Sequence, residues 1–140
     1  MGIKIVIVDD DRTTLAIMEK TLIMKGFWVY SARDGEEGFE LIKKEKPALV
    51  ISDMLMPKIH GFDLCKKIKR SDEHKNTKVI LMTAVYKSNL ALKHEAKECG
   101  AEDIMNKPLD MNLMLNKIYA ILDISQDDLE NNKDDFDPED

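Results

Sequence analysis

The chain has 140 residues, the size of a single domain, and its longest apolar runs span only a few residues, as in Ile5 to Val8, which excludes a membrane-spanning helix. Two cysteines, Cys65 and Cys99, cannot build a disulfide framework or a four-ligand zinc site unaided, and Met1-Gly2-Ile3-Lys4 has no apolar signal core, so the expected setting is reduced and cytoplasmic. The net charge of −6 sits in residues 125–140, whose eight acidic residues and one lysine give −7 and leave residues 1–124 at +1, a balance that suggests no nucleic-acid surface.

Five short runs rich in β-branched and apolar residues alternate with segments of helical spacing. The first run, Ile3 to Val8, ends in Asp9-Asp10-Asp11. Residues 12–25 then place Leu15, Met18, Leu22 and Ile23 on one helical side, with Asp11 as a candidate cap and Gly26 as the C′ residue. The second run is Phe27 to Ala32. Residues 35–45 carry Phe39 and Ile42 three apart and break before Pro47. The third run, Ala48 to Ser52, ends in Asp53, and residues 61–70 follow with Phe62, Cys65 and Ile68 at helical spacing. The fourth run, Lys78 to Met82, ends in Thr83; Ser88 is a candidate cap for a helix reaching Cys99, closed by Gly100. The fifth run, Asp103 to Asn106, ends in Lys107-Pro108, and Asp110 caps a last helix through Leu113, Leu115, Ile118 and Leu122. Residues 125–140 hold two large apolar residues, Leu129 and Phe136, too few to fold alone, and read as a disordered acidic tail or linker stub.

Runs one, three and four are almost continuously apolar, as strands covered on both faces are. Five strand–helix units in series predict an α/β fold: a doubly wound, five-stranded parallel sheet of order 2-1-3-4-5 with five helices, occupying residues 1–124. In such a sheet the ligand site forms outside the carboxyl ends of the strands, where the winding reverses beside strands one and three.

Four of the five runs deliver polar residues to that edge: Asp9 and Asp10, Asp53, Thr83 and Lys107. Three carboxylates collected there repel, by about 3 kcal/mol per pair at 5 Å and an effective dielectric of 20, unless a cation neutralises them. Oxygen-only ligands favour a hard ion, Mg²⁺ above all. Lys107, the Thr83 hydroxyl and loop amides suit the oxygens of a phosphoryl group, and a carboxylate beside Mg²⁺ can act as nucleophile to form an aspartyl phosphate. Asp53 is the best candidate for that role because it stands alone on the central loop beside Met54 and Leu55, whereas adjacent Asp9 and Asp10 are better placed to share the metal. Each residue alone reads as an ordinary loop or cap residue; the weight lies in the combination.

IVIVDDD at 5–11, LVISDMLMP at 49–57, VILMTA at 79–84 and NKPL at 106–109 together resemble the receiver domain of two-component response regulators, over roughly residues 3–122. The resemblance implies a flavodoxin-like fold, an acidic pair at Asp9 and Asp10, a phosphoacceptor at Asp53, a switch hydroxyl at Thr83 and a phosphate-contacting Lys107, often before a cis Pro108. It implies Mg²⁺ held by Asp10, Asp53 and the backbone carbonyl of Leu55, with Asp9 acting largely through water. It also implies a sensor histidine kinase or His phosphotransfer protein as donor, and a downstream effector or an output domain beyond the tail as recipient. The module would be a monomer or a weak, phosphorylation-linked homodimer, with no membrane or direct nucleic-acid partner. It would not be an enzyme beyond its own phosphorylation and slow dephosphorylation.

Some positions depart from the family pattern. Ile104 stands where many receivers carry Tyr or Phe, and His60 replaces a common Asp with no expected metal role. Leu55 and Val85, two residues after Asp53 and Thr83, are apolar and would hinder an attacking water, which predicts slow autodephosphorylation. The segment from Thr83 to Lys107 looks slightly longer than in common single-domain forms. His74 and His94 read as solvated, Cys65 and Cys99 as small core residues, and the nine methionines as core filler. A competing reading takes Asp9-Asp10-Asp11-Arg12-Thr13 as the loop of a haloacid-dehalogenase-like phosphatase, with Asp9 as nucleophile and Asp11 as acid/base. It lacks a later acidic pair after Lys107 and a cap domain, and gives Asp53 no role.

Overall fold

The computed structural model describes residues 2–56, 58–84 and 90–130. The elements run β1 (Lys4–Val8), α1 (Arg12–Met24), β2 (Trp28–Ala32), α2 (Gly35–Glu45), β3 (Leu49–Asp53), α3 (Gly61–Arg70), β4 (Lys78–Thr83), α4 (Leu90–Cys99), β5 (Asp103–Asn106), α5 (Met111–Leu122) and α6 (Gln126–Glu130). All neighbouring strands are parallel, in the order β2-β1-β3-β4-β5. The five expected strand–helix units are present, followed by a sixth, short helix. Pro57, Val85, Ser88 and Phe136, singled out in the sequence, lie outside the described residues.

Side-chain alternation along each strand sorts the core into two layers. Ile5, Ile7, Leu49, Ile51, Ile80, Met82 and Met105 face α1 and α5, where Leu15, Met18, Leu22, Met114 and Ile118 meet them. Val6, Val8, Val50, Val79 and Leu81 face the other way, onto Ile42 of α2, Leu64, Cys65 and Ile68 of α3, and Ala96 and Cys99 of α4. Continuous burial along β3 and from Ile5 to Val8 of β1 follows from helices on both faces. Six of the methionines are buried, in keeping with core filler.

The helix ends match their chemistry. Asp11, Asp34 and Asp110 accept hydrogen bonds from backbone amides of the first turns of α1, α2 and α5.

Two expectations fail. His74 is buried rather than solvated, because the α3–β4 connection folds back so that its ring stands edge-on to Phe39 of α2, centroids 6.1 Å apart. Residues 126–130, assigned by composition to an unfolded tail, form α6, and Leu129 is fully buried in the α1–α5 layer. Gly26 makes that seat possible: its φ is +101°, and a Cβ there would lie 2.7 Å from the Leu129 carbonyl oxygen. Leu129→Ala is therefore expected to cost about 2 kcal/mol, the low end for a buried leucine because a terminal helix can settle into the void. Urea unfolding followed by the fluorescence of Trp28 measures it; an unchanged midpoint would mean that α6 contributes nothing to the core.

Candidate functional site

Strand register and alternation assemble the polar edge. Val8 pairs with Ser52, so Asp9 emerges level with Asp53, the last residue of β3. Asp53 shares the side of the sheet taken by Leu49 and Ile51, and Lys107 continues the alternation of Met105, so Asp9, Asp53 and Lys107 converge. Thr83 closes β4 with the opposite parity, and its carbonyl accepts the Lys107 amide proton at 2.7 Å, tying the two loops together.

The Lys107 Nζ donates to Asp9 Oδ2 at 2.7 Å and to Asp53 Oδ2 at 3.3 Å. Asp9 is fully buried; its other oxygen accepts the Asp11 amide proton at 2.9 Å. Asp53 is buried and Asp10 exposed, and each of Asp9, Asp10 and Asp53 offers a carboxylate oxygen within 4.8 Å of the others. Burial pushes the Asp53 carboxyl above its ordinary value, and the Asp9 charge adds to the rise; Lys107 and the Leu55 amide work against it. Burial pulls Lys107 downward, but its hydrogen bond to Asp9 and the charge on Asp53 outweigh this, so its ammonium is held above its ordinary value.

Such a cage suits a hard divalent cation: all its donors are oxygens, and among the described residues its carboxylates outnumber the one lysine reaching them. His60 is not part of the cluster; it sits exposed at the start of α3 and makes no capping hydrogen bond with its side chain. Asp11 is turned away to cap α1, accepting from the Thr13 amide at 3.2 Å and the Thr14 hydroxyl at 2.6 Å. The Thr14 hydroxyl first, then the Thr13 amide, hold its carboxyl below the usual range. An exposed carboxylate committed in this way is poorly suited to acid/base work, which removes the second residue of the phosphatase reading.

Beside the cage opens a cleft of about 440 Å³ lined by Met54, Leu55, His60 and Thr83 among others. Leu55 lies on its rim with the side chain exposed. The bond before Pro108 is cis. Ile104 packs partly buried against the α2–α4 layer. One feature of the site escaped the sequence: Gly61, whose missing side chain lets the first turn of α3 press on the backbone of Asp53, where a Cβ would lie 2.4 Å from the Asp53 carbonyl oxygen. A glycine opening a helix carries no signal of this kind by itself.

Comparison with known proteins agrees with this architecture. The family model of the response regulator receiver domain matches residues 5–119. The chain is 34% identical over 119 residues to the probable transcriptional regulator ycf27 of Guillardia theta, a match covering 85% of this chain and 45% of that protein. It spans about half the length of the curated relatives it matches. Among solved structures, a putative response regulator from Chloroflexus aurantiacus superposes with a TM-score of 0.81 at 31% identity, covering 88% of this chain and 99% of that one. The chemotaxis response regulator CheY4 of Vibrio cholerae gives 0.80 at 26% identity, covering 86% and 99%.

Proposed function

The chain belongs to the response regulator receiver domain family, and on that premise we propose that Asp53 accepts a phosphoryl group from a phosphohistidine, with Mg²⁺ held by Asp10, Asp53 and the Leu55 carbonyl and with Asp9 acting largely through water. The observation that carries this reading is the bridge from Lys107 to both Asp9 and Asp53 at 2.7 and 3.3 Å, inside a cage of three carboxylates. A bound Mg²⁺ would offset the charge of the cage and of the incoming phosphoryl oxygens. An Asp53 carboxylate oxygen attacks phosphorus, the P–N bond of the donor breaks, and the imidazole leaves with the bonding pair. The Lys107 ammonium is placed to leave Asp53 and follow the new negative charge. Thr83, at the end of the neighbouring strand, has a hydroxyl to offer to the same oxygens. The added charge then reorders the loops after β3 and β4, biasing a partner-binding surface. The donor would be a sensor histidine kinase or a His phosphotransfer protein, and the recipient a separate effector or an output domain outside this chain.

Intact mass after incubation with acetyl phosphate tests the assignment. One phosphoryl adduct is expected in the wild type with Mg²⁺, none after chelation, and none in Asp53→Asn. An adduct that survives in Asp53→Asn would move the acceptor elsewhere, and phosphate release by that variant would restore the phosphatase reading at Asp9. Apolar Leu55 on the rim of the cleft is expected to slow the attack of water on the acyl phosphate. Adduct decay should accelerate in Leu55→Asn; equal decay would remove Leu55 from that role.

A further inference from the structure

The α3–α4 side of the core contains a pair of thiols that the phosphoryl site does not use. Cys65 lies in the middle of α3 and Cys99 closes α4; both are free and buried. The Cys65 thiol points at the Cys99 carbonyl oxygen, 3.3 Å away, which sets the thiol of α3 against the backbone of the other cysteine. The Cys99 thiol in turn faces the Ala96 carbonyl at 3.1 Å. Packing as small apolar groups would explain the burial of each cysteine, but it does not require cysteines from two different helices to lie against each other.

We propose that Cys65 and Cys99 are an oxidation site for hydroperoxides, closing a reversible disulfide that clamps α3 to α4. The two thiols are chemically unequal. The hydrogen bond from Cys65, helped by the Ala101 amide and the Lys66 charge against the effect of burial, draws Cys99 down to about 7. The same hydrogen bond, together with burial, pushes Cys65 up. Cys99, at the last turn of α4 and so at the end that opens, is the attacking thiolate, and Cys65, held in the middle of α3, the resolving one. Access comes through α4. Among its described side chains only Ala96 and Cys99 are buried, so opening its last turn breaks few apolar contacts. Gly100 ends the helix immediately afterwards with a φ of +90°.

The chemistry balances in two steps. The Cys99 thiolate attacks one peroxide oxygen, the O–O bond breaks, and the departing hydroxide or alkoxide takes a proton, leaving a sulfenic acid. Cys65 loses its proton and attacks the sulfenic sulfur; the S–S bond forms, the S–O bond breaks and water leaves. Two thiols are oxidised and one hydroperoxide is reduced. The clamp would join the helix that begins against Asp53 to the helix that follows the strand ending in Thr83.

The test uses the unmodified chain of 140 residues. It is treated with hydrogen peroxide under native conditions, residual thiols are alkylated, and non-reduced peptides are weighed. The expected result is the loss of two hydrogens, a cross-link between the Cys65 and Cys99 peptides, and its reversal by dithiothreitol. In Cys65→Ala a sulfenic acid trapped by dimedone is expected at Cys99, while in Cys99→Ala the Cys65 thiol should stay reduced over the same interval. Persistence of both thiols in the wild type while exposed methionines oxidise would overturn the proposal. So would conversion of Cys99 to sulfinic acid without a cross-link, or a link between two chains. The wild-type measurement decides even where a substituted chain fails to fold.

Discussion

Gly61→Ala is expected to destabilise the domain by about 3 kcal/mol and to impair phosphorylation, although alanine is the better helix former by about 1 kcal/mol. The atoms in the way are backbone. An added Cβ would stand 2.4 Å from the carbonyl oxygen of Asp53, 2.8 Å from Cα of Met54 and 3.1 Å from the carbonyl carbon of Asp53. No rotamer change relieves such contacts, so either α3 retreats or the end of β3 moves. Retreat also stretches the hydrogen bond from the Gly61 amide to the Met54 carbonyl, 3.0 Å in the native arrangement. Movement of β3 displaces Asp53 from Lys107. Gly38→Ala provides the comparison: its Cβ would meet Val8 Cγ2 at 2.9 Å, a side-chain atom that can shift, and a smaller loss is expected. Urea unfolding of both variants by Trp28 fluorescence, with adduct formation measured alongside, tests the argument. Equal stability of Gly61→Ala and the wild type would show that α3 does not press on the site.

What was legible in the sequence was what local rules control. Apolar runs covered on both faces, Asp11 and Asp110 at helix starts and Gly26 and Gly100 after helix ends each depend on near neighbours, and the fold follows from their order. The carboxylate set was legible because strand ends in a parallel sheet share one edge. Three other features depend on tertiary fit and were not. His74 lies among polar residues, and nothing in the α3–β4 segment says that it will turn back onto Phe39. Leu129 is a lone apolar residue in an acidic stretch, and its burial depends on the missing side chain of Gly26, far away in sequence. The 3.3 Å approach of Cys65 to Cys99 spans 34 residues and rests on how α3 and α4 pack, which periodicity does not specify.

In the absence of divalent ions at neutral pH, Asp53→Asn is expected to be more stable than the wild type by about 1 kcal/mol, and saturating Mg²⁺ is expected to reverse the order. Carboxylates within 4.8 Å of one another repel by about 3.5 kcal/mol or more at an effective dielectric of 20, and Lys107 offsets part of this. Asparagine keeps the shape and an acceptor for the Leu55 amide while removing one charge, and Lys107 retains Asp9. The pH dependence has a definite sign. Burial and the Asp9 charge raise the folded-state pKa of Asp53. Its contribution is therefore fully present below the unfolded value near 3.8 and is lost as pH rises through the raised one. The advantage of Asp53→Asn should thus be smallest in acid, open as pH climbs past the ordinary carboxylate range, and level off toward neutrality. Mg²⁺ at a hundred times its Kd would stabilise the wild type by about 2.7 kcal/mol. The variant, with one of three carboxylates gone, should respond far less. Thermal unfolding of both proteins from pH 4 to 8, with and without Mg²⁺, measures each part. A less stable Asp53→Asn in metal-free buffer would mean that the ion pair with Lys107 outweighs the repulsion. An equal Mg²⁺ response in both chains would take Asp53 out of the metal site.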